Sequence, residues 1–258
     1  MIIMKKIFCV LICAALVLAA IGCEGFVLPD YNYSEDGKDE AKLFFAALND
    51  DENFEGAVTW KFVWEDEGQV YESFVFTMKA KEYGSDSKVY MRYINEKNDM
   101  DVATINDLED NYYIDNKAKT VSTEPGQIGA VFFPAIMTAT LGKVDFEDES
   151  EYKWDFVSKK TVTIKDADGK DIETVEFEYN NASGSGTMLE EVTTLKLNFR
   201  KDFPVVVRMR YEGEEDGKAK AINVYVIELS GKVNDSDFVL PGEAQGYTVL
   251  EESSSQEP

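Results

Sequence analysis

Histidine is absent from all 258 residues, and the three cysteines, Cys9, Cys13 and Cys23, fall within the first 23. These two absences remove His-dependent acid–base catalysis, Ser-His-Asp triads, thiol chemistry in the body of the chain, and zinc or copper sites built on His or Cys. An internal disulfide is excluded as well, because Cys9 and Cys13 lie in an apolar leader. Positive charge is scarce: 26 Lys and Arg face 50 Asp and Glu, a net charge of −24. So negative a body repels phosphate backbones, so nucleic acid is not a partner, and it cannot be held to anionic membrane by basic patches. A glycine-rich phosphate loop and an internal repeat are missing too, and no cofactor is expected. Hydrophobic residues still make up 44% of the chain, enough for a substantial core.

The N-terminus is different in kind. Lys5 and Lys6 precede an apolar run from Ile7 to Ala20, which is short for a membrane span and suited to a signal h-region. The run ends in Ala20-Ile21-Gly22-Cys23, which resembles a lipobox, with Ala20 where leucine is usual. Residues 1–22 therefore read as a lipoprotein signal peptide, with Met4 an alternative start, and Cys23 as the acylated residue. Loss of Lys5 and Lys6 with that leader leaves 24 basic and 50 acidic side chains, a net of −26. More than one acyl chain gives stable anchoring. The expected location is the cell membrane, lipid-anchored and facing outside the cytoplasm.

Residues 23–40 read as the lipidated Cys and a flexible tether, 41–250 as the folded domain, and 251–258 as a disordered tail. Ala41 to Leu48 is a helix candidate with Leu43, Phe44, Ala47 and Leu48 on one side and Asp39 as N-cap. From Val58 onward the apolar period is two: Val58/Trp60/Phe62/Trp64, then Phe74/Phe76/Met78, then Val89/Met91/Tyr93. Short strands follow at Asp101–Ile105, Asn111–Ile114 and Thr120–Thr123. Later ones are Tyr152/Trp154/Phe156, Val162/Ile164, Val175/Phe177/Tyr179, Leu195/Leu197/Phe199, Val205/Val207/Met209/Tyr211 and Ile222/Val224/Val226. Turn signals at Glu67-Gly68, Asp168-Gly169, Gly184-Ser185-Gly186 and Asp216-Gly217 separate these runs. The pattern predicts a mostly β (α+β) fold: a curved antiparallel sheet of about ten to twelve strands around a few short helices. The uncharged, non-alternating stretch from Gln127 to Leu141, interrupted by Pro134, reads as a buried helical insert on the concave side.

Late in the chain Phe203-Pro204 precedes a strand, and Asp235-x-x-Phe238-x-Leu240-Pro241 follows the last long alternating run. With the lipobox, first helix, long meander and apolar insert, these residues resemble the LolA-like lipoprotein-carrier superfamily over roughly Ala41 to Leu250. The resemblance implies a half-barrel wrapped around helices, with a concave apolar cavity able to hold acyl chains. Its motifs are structural and carry no catalytic residue. Carriers of that family are soluble and not acylated, so a lipid-anchored member is closer to its lipid-binding lipoproteins or acceptor type.

On this reading Trp60, Phe62, Trp64, Phe74, Phe76 and Met78 line the cavity, and Phe132, Phe133, Ile136 and Met137, with Val131, form a plug or core helix above them. Period-two aromatics also make ordinary sheet core, and a fixed core helix is the plainer account of the insert. Asp166-Ala167-Asp168-Gly169-Lys170-Asp171 places oxygen donors around a glycine, but a hairpin turn suits it better than a calcium loop. Asp145–Glu151 reads as a solvated acidic loop, so no metal is expected. Lys196, Arg200, Arg208 and Arg210 read as outward cations countering neighbouring acids rather than as a basic strip. The expectation is a non-catalytic, monomeric, membrane-tethered binder of a lipid or lipoprotein acyl chain. The alternatives are an interaction or structural lipoprotein with a packed core, meeting a protein or cell-wall partner, and a carboxylate-only hydrolase.

Overall fold

Two-residue turns set the hairpins. Glu67 and Gly68 have φ of 48° and 80°, and Asp216 and Gly217 have 53° and 72°. Positive φ at both positions is the twist-matched turn for antiparallel strands, which is why an acidic residue followed by glycine stands at each. The computed structural model describes residues 29–48, 55–81, 88–107, 111–123, 154–181 and 191–250. The signal peptide, Cys23, the Gly184–Gly186 turn, the Gln127–Leu141 insert, the Asp145–Glu151 run and the tail from Glu251 lie outside the described residues.

Among the described residues one helix, α1 (Lys38–Leu48), precedes twelve strands. These are β1 (Gly56–Asp66), β2 (Gln69–Lys81), β3 (Lys88–Asn95), β4 (Met100–Asp107), β5 (Asn111–Asp115) and β6 (Thr120–Ser122). Then come β7 (Trp154–Lys165), β8 (Asp171–Asn181), β9 (Glu191–Arg200), β10 (Val206–Glu215), β11 (Lys218–Ser230) and β12 (Thr248–Val249). They form one sheet in the order β12-β6-β5-β4-β3-β2-β1-β11-β10-β9-β8-β7. Two meanders, β1–β6 and β7–β11, are joined where β1 pairs with β11, and β12 adds in parallel to β6. The edges β7 and β12 do not meet, so the sheet is curved but not closed. The mostly β, curved antiparallel sheet expected from the alternation is what forms.

Bulges supply curvature. Five residues lack an opposite number on the neighbouring strand: Tyr71, Val157, Thr193, Val207 and Ile227. Each adds local twist and moves the inward phase of its strand by one residue. In β7 the inward set passes from Phe156 to Lys159, opposite Tyr179 and Phe177. What reads as two short strands in the sequence is therefore one strand of 12 residues. In β10 the inward set is Val206, Met209 and Tyr211, because Val207 is the extra residue.

The inner face carries the main core, in which Phe62, Phe76, Phe177, Leu195, Leu197, Phe199 and Met209 are buried. The N-terminal segment seats on its β8–β9 end. Tyr33 is buried, its hydroxyl donates to Arg200 O and to Phe203 O at 2.8 Å, and its ring packs on Phe177 and Phe199. Tyr179 donates its hydroxyl to Asp36 O at 2.7 Å. Burial, with Asp36 and Glu40 nearby, raises the Tyr179 pKa well above the usual phenol value. Helix α1 starts at Lys38, before the expected Ala41, so Asp39 lies within its first turn. Its N-terminus is organised by Asp36 Oδ1, which accepts from the Lys38 amide, and by Glu40, whose carboxylate takes both the amide and the hydroxyl of Ser34. Its buried face is Ala41, Phe44 and Phe45, while Leu43, expected inside, is 44% exposed. Two adjacent phenylalanines turn the apolar stripe toward themselves.

The outer face of β4–β6 holds a second, smaller cluster: Ala103, Ile105, Ile114, Val121 and Tyr247, with Leu240 against it. The segment after β11 crosses this face as a strap. Asp235 and Asp237 pair with Lys81 and Lys79 of β2, each at 2.6 Å, and Phe238 is buried. The Asp235–Pro241 phrase is thus a clamp for the strap, and Phe203 O serves as an anchor for Tyr33.

Candidate functional site

The aromatic stripe is assembled by register. In the β1–β2 pair Trp60 faces Phe76, Phe62 faces Phe74, and Val58 faces Met78. The Trp60 and Phe76 rings stack at 5.9 Å and 15°, and Phe62 and Phe74 at 4.8 Å and 17°. Phe74 also meets Tyr93 of β3 at 5.1 Å. Such cross-strand pairs stabilise a sheet beyond simple burial. Trp60, Phe62, Trp64, Phe74, Phe76 and Met78 therefore share the inner face.

Their exposure divides them. Trp60, Phe62, Phe74 and Phe76 are buried, whereas Trp64 and Met78 are only partly so. Further partly buried apolar residues pack against the same core: Val89, Met91, Met100 and Val226. Sequence reading left these four off the candidate lining, although Val89 and Met91 alternate with period two directly beside Met78. Met91 faces Met78 across β2–β3. The partly open surface is thus rich in methionine, a flexible and polarisable lining. Phe132, Phe133, Ile136 and Met137 lie outside the described residues.

The opposite face of the sheet is an ion-pair ladder. Arg208 lies 3.5 Å from Glu176 and donates to Asn198 Oδ1 at 3.0 Å. Arg210 holds Glu65 at 2.9 Å and Glu212 at 2.7 Å, and Lys196 reaches Glu212 at 2.7 Å. Arg200 pairs with Asp202. The four cations offer no free basic strip. Burial works to raise the Glu212 pKa, but Arg210 and Lys196 outweigh it and hold the carboxyl below its usual range. Asp66, Asp101, Asp202, Asp235 and Asp237 are likewise shifted down, each with a cationic partner or neighbour. A general acid needs the opposite shift.

Asp166–Asp171 forms the β7–β8 hairpin turn. Asp166 Oδ1 accepts the amides of Asp168 and Lys170, and Gly169 takes φ 81°. One oxygen of the Asp166 carboxylate is thus committed to the turn. Among the described residues no group of three or more Asp, Glu, His or Cys could hold a metal ion. A cleft of about 360 Å³ opens between Asp30–Tyr33 and Lys159, Lys160, Thr161, Val175 and Lys201. Its lysines are engaged by Tyr33 O, Ser34 O, Glu176, Glu173 and Asp30, and it contains none of the aromatic stripe. Among the described residues no helix is long and apolar enough to cross a membrane.

No family model and no curated protein matches the sequence. Solved structures do show similarity of form. MucB matches with a TM-score of 0.39 and 12% identity over 80% of this chain and 64% of its own, so this chain spans under two thirds of that protein. MucB from Pseudomonas aeruginosa in complex with MucA matches at 0.37 and 9%, over 79% of this chain and 61% of its own. A LolA superfamily protein from Nitrosomonas europaea matches at 0.26 and 9%, over 80% of this chain and 98% of its own. These are distant likenesses of architecture.

Proposed function

We propose that this chain is a lipid-anchored extracytoplasmic protein that binds a hydrophobic ligand, a lipid or a lipoprotein acyl chain, against its inner face without chemistry. The observation that carries the reading is the set of partly open apolar residues that flank a buried aromatic core: Trp64 and Met100 toward one end of the inner face, Met78, Val89 and Met91 toward the other, and Val226 opposite Trp60. Apolar side chains left partly open in a protein of such high charge support a binding site in this reading. Each methylene withdrawn from water contributes roughly 0.8 kcal/mol, so an acyl chain needs no polar catalyst to be held. Acylation at Cys23 supplies the membrane attachment in this reading.

Every described element lies within residues 29–250, so the chain from Glu24 onward keeps the whole described fold. Native mass spectrometry with lipid extraction on that chain, made in a lipid-containing host, tests the proposal. A reproducible co-purifying lipid is expected, and Met91→Glu should remove it while circular dichroism shows the sheet intact. A ligand-free protein that also ignores added fatty acyl probes would sink the reading and favour a packed interaction module.

A further inference from the structure

Trp64 and Asp66 occupy successive inward positions of β1, opposite Ile222 and Lys220 of β11. Residues two apart on one strand face stand about 7 Å apart. Two buried side-chain atoms without a hydrogen-bond partner among the described residues are Trp64 Nε1 and Asp66 Oδ1. One is a donor only, the other an acceptor. Orphaned polar atoms of this kind are uncommon in folded proteins and call for a ligand or water.

The surroundings fix what that ligand can be. Lys220 Nζ donates to Asp66 Oδ2 at 2.9 Å, and this contact holds the carboxyl below its usual range, so Asp66 is ionised at neutral pH. Lys220 also sits 5.4 Å from the Tyr71 ring, which meets Trp64 edge-on at 6.2 Å. Glu72, opposite Trp64 in register, accepts from the buried Asn95 Nδ2 at 2.9 Å. Asp66 thus has its ammonium on the β11 side, and Glu72 its amide partner on the β3 side. Further along the same face of β1 come the buried Phe62 and Trp60, while Met100, opposite Asn95, is a partly open apolar residue on this side.

We propose that Trp64 Nε1 and Asp66 Oδ1 recognise the hydroxyl of a neutral amphiphile whose acyl chain lies along the inner face; this rests on the acyl-binding reading above. A group that accepts and donates at once satisfies both atoms, and a hydroxyl does so with one oxygen. An ester accepts only and leaves Asp66 Oδ1 unmet. A carboxylate also only accepts, so it leaves Asp66 Oδ1 unmet and stands beside the ionised Asp66. An ammonium only donates, leaving Trp64 Nε1 unmet. The class is thus monoacylglycerol-like: one chain and at least one free hydroxyl.

Calorimetric titration of the chain from Glu24 with 1-monooleoylglycerol, methyl oleate, oleate and free glycerol tests this. The hydroxyl-bearing amphiphile should bind about tenfold tighter than methyl oleate, a difference of about 1.4 kcal/mol. Oleate should bind more weakly still, and free glycerol not at all. Trp64→Phe, which keeps an aromatic ring and removes the N–H, should erase the preference, and Asp66→Asn should reduce it. Equal affinity for the three amphiphiles, or a preference that survives Trp64→Phe, overturns the inference and leaves the two atoms to water, while acyl binding stands. Glycerol binding as tightly as the amphiphile assigns the pair to a free polyol and overturns it too. If no amphiphile binds, the acyl-binding reading itself fails, and this inference with it.

Discussion

Replacing Gly37 by alanine should destabilise the fold far more than its place before a helix suggests. Gly37 has φ +69°, and a Cβ there would lie 2.5–2.7 Å from three ring atoms of Phe177. Phe177 is fully buried and held between Tyr33 and Phe199 at 5.7 Å each, so the ring has nowhere to retreat. A left-handed alanine costs about 1–2 kcal/mol, and forcing atoms into a packed core about 1–3 kcal/mol. The sum, about 3 kcal/mol, is a large share of the roughly 5–15 kcal/mol that holds a domain together. Gly68→Ala is the control. Its φ is +80° and a Cβ there meets nothing within 4 Å, so only the backbone term applies. Urea unfolding followed by tryptophan fluorescence, at a slope of about 2–3 kcal/mol per molar, should move the midpoint by about 1 M for Gly37→Ala. The control should move by about half that or less. Equal shifts for the two variants would refute the claim that the N-terminal segment is pressed onto the inner face.

Phe76→Ala removes a fully buried ring stacked on Trp60 and should cost about 3–5 kcal/mol in the same assay. Asp101 gives a pH-dependent case. Burial works to raise its pKa, but the paired bonds from Arg92 at 2.8 and 2.7 Å and one from Asn116 prevail and hold it low. A depressed folded pKa contributes stability above the unfolded value of about 3.9 and loses it as pH falls through the folded value. Asp101→Asn should therefore be less stable than the parent at pH 7, by about 1–3 kcal/mol, with the two chemical-denaturation midpoints converging in acid. Cys23→Ala should stop incorporation of labelled acyl chains and leave the protein absent from its lipid-anchored fraction; acylation persisting in that variant contradicts the anchoring proposal.

The strands were legible where alternation ran unbroken. In β1 and β2 the period-two aromatics marked the inward face, and Glu67-Gly68 marked the turn between them. Legibility ended at the bulges. Nothing in the residues Phe156, Val157 and Ser158 announces that one of them is extra, and a single insertion exchanges inside and outside for the rest of the strand. The same phase change hid the inward role of Val206. Leu43 misled because helix burial follows the pair Phe44-Phe45 rather than the mean stripe. The C-terminal strap was visible only as a phrase, since its partners Lys79 and Lys81 lie more than 150 residues earlier. Trp64 is legible as an inward aromatic, but its unmet N–H depends on what its neighbours leave unpaired and has no sequence signal.

The most direct test of acyl binding uses the chain's own tryptophans. Three are present, and Trp60, Trp64 and Trp154 all belong to or pack on the inner-face cluster. Titration of the chain from Glu24 with an acyl chain brominated at mid-length, a contact quencher, reads occupancy of that face directly. Saturable quenching at one ligand per protein, abolished by Met91→Glu, is the predicted result. Tryptophan emission that stays unchanged, or falls without saturating, contradicts it.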